Sequence, residues 1–181
     1  EDRAETIDEI EKDVNRLQSI TDRFSKIGST PKLAPVKAYD AVNAGMNYIK
    51  NRTSKRVKFT IIEPENNNLT VPLNEVLFAW VMENLCKNAL DAMGGSGEIS
   101  VDFTEDDKLV HIDISDTGKG IPKSNHKTIF NPGVTSKKRG WGLGLSLSKR
   151  IIKDYHNGKI FVLHSSPDKG TTFRISLKKI I

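Results

Sequence analysis

A single cysteine, Cys86, among 181 residues leaves no partner for an internal disulfide, so a packed core has to hold the chain together. Cys86 lies inside an apolar run and reads as a small core residue, compatible with a reducing compartment or with indifference to oxidation. Long hydrophobic runs are missing as well. No stretch approaches the roughly 20 apolar residues that cross a bilayer, and the N-terminal residues are acidic and helix-like rather than signal-like, so the chain carries no membrane segment of its own. Neither sign of charge dominates: 28 Lys and Arg stand against 23 Asp and Glu, a net charge of +5 with both signs mixed along the chain, which calls for no nucleic-acid partner. Internal repeats and low-complexity tracts are absent too. The chain begins at Glu1, without Met and already inside a periodic pattern, which leads us to expect a piece of something longer.

The length has room for one ordinary domain and a short appendage. The appendage comes first. Ile7, Ile10, Val14, Leu17, Thr21, Phe24 and Ile27 recur at alternating steps of three and four with charged residues between them, a heptad seam that needs a partner helix. Gly28 ends this helix, and Pro31 and Pro35 punctuate an extended linker over residues 31–37. Residues 38–181 then read as helix 38–51, strand 57–62 stopping at Pro64, a turn over Asn66 to Asn68, and a long helix 73–93 with Pro72 in its first turn and Gly94 and Gly95 at its end. Strands 98–103 and 109–115 form a hairpin, and after an irregular segment from Ile121 to Gly140 come helix 142–155 and strands 159–163 and 171–177. The order predicts an α/β two-layer sandwich, one mixed sheet covered on one face by three helices.

Four tracts carry candidate chemistry. A rotation of about 100° per residue puts Leu77, Val81, Asn84, Asn88 and Asp91 on one face of the long helix. Burying neutral polar groups without partners costs roughly 2 to 7 kcal/mol each, so three in a row mean either a satisfied network or the wall of a cavity. Asp116-Thr117-Gly118-Lys119-Gly120-Ile121 follows a strand; a carboxylate there can accept a hydrogen bond from an exocyclic amine such as that of adenine, while Gly118 and Gly120 let backbone pass close to a flat ring. Gly140, Gly142, Leu143 and Gly144 open a helix whose first amides suit phosphate, and Lys137 and Lys138 precede them. Gly170-Thr171-Thr172-Phe173 starts the last strand; a Thr171 hydroxyl beside a base is plausible, and Thr is also simply a good strand residue.

In this order the tracts resemble the N, G1, G2 and final G-T boxes of the GHKL superfamily, which comprises gyrase-type ATPases, heat-shock chaperones, histidine kinases and mismatch-repair ATPases. Glu83-Asn84-Leu85-Cys86-Lys87-Asn88-Ala89 looks like the N box of sensor histidine kinases, and Ile129-Phe130-Asn131-Pro132-Gly133 followed by Thr135-Ser136-Lys137 resembles their F box and lid. The resemblance implies the Bergerat-type ATP-binding fold. It also implies that Asn88 ligates a Mg2+ bridging the phosphates of ATP, that Asp116 reads adenine, that Gly118 and Gly120 shape the base pocket with Ile121 beside them, that Gly142 and Gly144 cradle phosphate, and that Lys137 and Lys138 belong to the lid.

Hydrolysing members carry a Glu four residues before the metal-binding Asn; here that position is Asn84, so the expected reaction is phosphoryl transfer rather than hydrolysis. Many kinases have Lys and an aromatic residue three and four positions after that Asn, where this chain has Asp91 and Ala92, which changes the set of phosphate and adenine contacts. Residues 1–30 resemble the second helix of a dimerisation and phosphoacceptor hairpin, so the expected partners are an upstream helix bearing the acceptor histidine, a second copy of the chain and a response-regulator receiver domain, all in the cytoplasm. None of His111, His126, His156 and His164 has the helical His-Glu or His-Asp context of such an acceptor. A hydrolysing switch, an anti-sigma-type serine kinase and a non-enzymatic module are the competing readings.

Overall fold

The computed structural model describes Ile7, Glu11, Val14, Gln18 and residues 31–180, apart from residues 67 and 137–140. The chain divides into two units, Glu1–Pro31 and Lys32–Ile181. In the first, the four described residues are helical and exposed, and the remaining seam positions lie outside the described residues.

In the second unit a five-stranded sheet runs in the order β2-β4-β5-β7-β6, from β2 (Val57–Ile61), β4 (Gly97–Glu105), β5 (Leu109–Asp116), β6 (Lys159–Ser165) and β7 (Thr171–Lys178). β2 is parallel to β4 and every other pair is antiparallel, so the sheet is mixed as expected. Period-two alternation decides its two faces. Ile99, Val101, Phe103, Val110, Ile112, Ile114, Phe173, Ile175 and Leu177 are buried. Between them, the cross-strand rows Asp113 with Arg174 and Ser115 with Thr172 are polar. Arg174 grips Asp113 through Nε and Nη2, at 2.7 and 2.6 Å, and this fork holds the guanidinium pKa above its ordinary value.

Helices α1 (Ala38–Lys50) and α2 (Glu75–Ala92) pack on each other. They come close at Gly45, where a Cβ would stand 3.1 Å from that of Met82. Asn74 caps α2, its side-chain oxygen accepting from the Leu77 amide at 3.1 Å. The last helix is shorter than its pattern: α3 (Gly144–Arg150) passes into a single π turn, Ile151–Tyr155, leaving Gly142 outside it.

Two expectations are corrected. The linker's second half, β1 (Ala34–Lys37), is a strand paired antiparallel with β3 (Thr70–Leu73), so Pro72 lies in a strand instead of the first turn of α2, and a small second sheet exists. Pro35 stands opposite Pro72. Antiparallel pairs alternate between hydrogen-bonded and non-bonded positions, and two residues without amide hydrogens can face each other only at the latter. The irregular segment also contains two short 3-10 turns, Lys123–Asn125 and Thr128–Phe130; Phe130 is buried edge-on against Phe173 and pins this segment to the sheet.

Candidate nucleotide site

The polar face of α2 is bracketed at both ends. At Asn84 the side-chain amide reaches toward α3, with its nitrogen 3.4 Å from the Gly144 carbonyl and 3.4 Å from the Ser148 hydroxyl, so the glycine tract that opens α3 sits beside Asn84. At the far end the Lys119 amide donates to the Ala92 carbonyl at 3.1 Å, and a Cβ on Gly118 would lie 2.7 Å from that of Ala92. Half-buried Asn88 stands between them, one turn beyond Asn84, and Asp91 is exposed. Eight residues of helix separate Ala92 from Asn84, a span of about 12 Å at 1.5 Å per residue.

Asp116 ends β5 opposite Thr171. Its carboxylate accepts from the Gly118 amide at 2.7 Å. Burial pushes the carboxyl above its ordinary value, and the amides of Gly118 and Thr171 draw it partly back. Gly120 adopts φ +71, and a side chain there would meet the Ser166 carbonyl at 1.9 Å; Gly170, at φ +74, lies against the Asp116 carbonyl with the same 1.9 Å clearance for a Cβ. Only glycine fits either place.

Ser165, which the sequence did not single out, ties this end together. Its hydroxyl oxygen takes the Ile121 amide at 2.8 Å and lies 2.9 Å from both the Gly170 carbonyl and the Thr171 hydroxyl. Thr171 is buried and so already engaged, and the Ile121 amide is spoken for while its half-buried side chain remains beside Asp116's loop. A serine at a strand end gives no sequence signal for such a role. Gly142 takes φ +63 and its carbonyl accepts from the Gly133 amide at 3.1 Å; Leu143 precedes the first turn of α3. Lys137, Lys138 and Gly140 lie outside the described residues.

The four histidines have no acceptor-like setting. His111 lies on the hairpin beside Ser176 and Asp106, His126 meets the Ile121 carbonyl, and His164 is exposed. His156 is buried and takes the Asn74 amide at 3.1 Å on Nε2, while its Nδ1 lies 2.9 Å from the Ile151 carbonyl. That pair of partners fixes a neutral ring protonated at Nδ1, and burial pushes its pKa down.

Residues 74–181 match the family described as histidine kinase-, DNA gyrase B- and HSP90-like ATPase. The chain belongs to this family. Sporulation kinase A of Bacillus subtilis is 36% identical over 147 residues, 81% of this chain and 22% of its own length. The C4-dicarboxylate transport sensor protein DctB of Rhizobium meliloti is 31% identical over 180 residues, 97% of this chain and 28% of its own. The chain thus spans about a quarter of the length of these relatives. The nucleotide-free catalytic domain of the histidine kinase ThkA has the same fold, with a TM-score of 0.72 at 27% identity over 82% of this chain and 96% of that one. The domain is an ATP-binding catalytic domain of the sensor histidine kinase type within the ATPase family. Among the described residues no helix is long and apolar enough to cross a membrane.

Proposed function

We propose that the chain binds Mg·ATP along the polar face of α2 and, within its full-length protein, passes the γ-phosphoryl group to a histidine on an upstream dimerisation helix, for relay to a response-regulator aspartate in the cytoplasm. The observation that carries this reading is the bracketing of α2. Asn88 lies between the Gly144 turn and the Asp116 loop, so one helix face can run beside a nucleotide from phosphates to base.

In this reading Asp116 accepts from the adenine amine, Gly118, Gly120 and Ile121 border the base, Thr171 backs it through Ser165, and Gly142, Leu143 and Gly144 present amides to phosphate, with Lys137, Lys138 and Gly140 in the lid. Among the described residues no cluster of three His, Cys, Asp or Glu could hold a metal by itself. A single Asn88 amide oxygen suits Mg2+ only when phosphate oxygens and water supply the other positions, which is how a metal arriving with ATP is bound. Bound there, Mg2+ would neutralise charge on the phosphates. Asn84 lacks the basicity to activate water, which protects ATP for a different acceptor. Residues 1–30 are assigned to the second helix of a dimerisation hairpin, and residues 31–37 to the connection, supported by a match to DctB that runs over 97% of the chain.

The chain mixed with a separately made, histidine-bearing helix pair should consume ATP stoichiometrically and yield phosphohistidine, with little ADP formed in the helix pair's absence. Steady ADP production by the chain alone, abolished by Asn84→Ala, would instead mark a hydrolysing switch, and failure to bind ATP or ADP at all would leave only a non-enzymatic module.

A further inference from the structure

A cavity of about 500 Å³ opens beside the edge strand β6, between the end of that strand, the start of β7 and the 3-10 turn at Lys123. Neither Asp116 nor any residue of α2 or α3 lines it, but Ser165 and Gly170 do, so it adjoins the adenine end of the nucleotide site proposed above and lies away from its phosphate end. Its volume falls within the range of small-molecule pockets.

Its chemistry is one-sided. Lys123, Lys169, His126 and His164 line it, and no Asp or Glu does. Neither lysine has a carboxylate partner among the described residues. Two of its hydroxyls are committed elsewhere, Ser165 to the Ile121 amide and Thr172 to Ser115, whereas the Ser166 hydroxyl has no such bond. Two lysines and no carboxylate on one concave wall give it net positive charge, which favours a ligand that is a dianion with several acceptor oxygens.

We propose that this cavity binds a soluble phosphorylated metabolite, its phosphate held by Lys123, Lys169 and the Ser166 hydroxyl. The small-molecule volume and the mixed charge of the remaining surface argue against an extended polyanion. The same wall braces the Asp116 loop: the Gly170 amide donates to the Gly118 carbonyl at 2.9 Å, and the Asp168 amide to the Lys119 carbonyl at 2.8 Å. A ligand drawn onto Lys169 and Ser166 therefore bears on the segment proposed to read adenine, and any effect on nucleotide affinity must be reciprocal.

The test uses the isotope-labelled chain, first given Mg·ADP and then titrated with glucose 6-phosphate, with amide shifts followed by NMR. Saturable shifts should centre on Lys123, Ser166 and Lys169, and the double substitution Lys123→Ala with Lys169→Ala should weaken binding at least tenfold while leaving the rest of the spectrum in place. Titration with unphosphorylated glucose should produce none of these shifts. No saturable binding, shifts confined to Gly142–Ser148, or equal binding by the double variant would overturn the proposal. Because the phosphate end of the nucleotide site, Gly142–Ser148, shares no residue with the cavity, the result reads the same way even if ADP binds nowhere.

Discussion

Burial raises the Asp116 carboxyl, and the sign of that shift has two consequences. A raised folded-state pKa means that the stabilising contribution is full below the unfolded value, about 3.9 for Asp, and is lost as pH rises through the folded value. At neutral pH the ionised carboxylate thus opposes folding. Asp116→Asn should raise the melting temperature of the nucleotide-free chain at pH 7, by an amount that shrinks toward pH 4, and should lower ATP affinity by about ten- to a hundredfold, the worth of one hydrogen bond to a charged group. Scanning calorimetry and titration calorimetry on the same preparations check both halves; a variant that melts lower and binds ATP like the parent would contradict each. Burial acts in the same direction on Cys86, whose thiol it pushes up to about 12. Alkylation of the native chain at pH 8 should therefore proceed only as fast as the chain opens, and added urea should accelerate it.

At the scale of elements, the joints between helices and loops are more specific than the elements themselves. His156 locks the start of α2 to the π turn through Asn74 and Ile151. Its lowered pKa gives stability that is full above the unfolded value, about 6.5, and is lost as pH falls toward the folded one. His156→Ala should cost about 2 to 4 kcal/mol in urea denaturation, from a cavity and two unmade hydrogen bonds, and should flatten the decline in stability between pH 7.5 and 5.5. Glycines provide a matched pair. Gly170→Ala places a Cβ 1.9 Å from the Asp116 carbonyl, whereas Gly94→Ala, at φ +63, meets nothing within 4 Å. The first should cost about 2 kcal/mol or more and weaken nucleotide binding; the second should cost about 1 kcal/mol and leave binding alone. Equal costs would mean that only backbone conformation matters at Gly170.

For the whole molecule, what was legible in the sequence followed from periodicity. The alternation at Val110, Ile112 and Ile114 and the helical stripe at Leu77, Val81 and Leu85 repeat over enough residues to be read, and the sheet and α2 lie where those patterns put them. β1 and β3 span four residues each and carry opposed prolines, too short and too irregular for any period to show. The site divides in the same way. Asn88, Asp116 and the glycines stood out by residue type, but Ser165 and the Ala92 carbonyl act through position alone, and the proximity of Asn84 to Gly144 exists only after folding. The pairing of β1 with β3 also has a mechanical consequence. The chain enters the domain at Lys32, whose carbonyl accepts from the Asn74 side chain at 3.2 Å, and the next rung outward joins Ala34 to Leu73. Tension applied from the N-terminal side would unzip these contacts one after another, each at low force, and the first to part belongs to the residue that caps α2. A pull on the chain would thus be felt at the root of α2 before the five-stranded sheet bore any load.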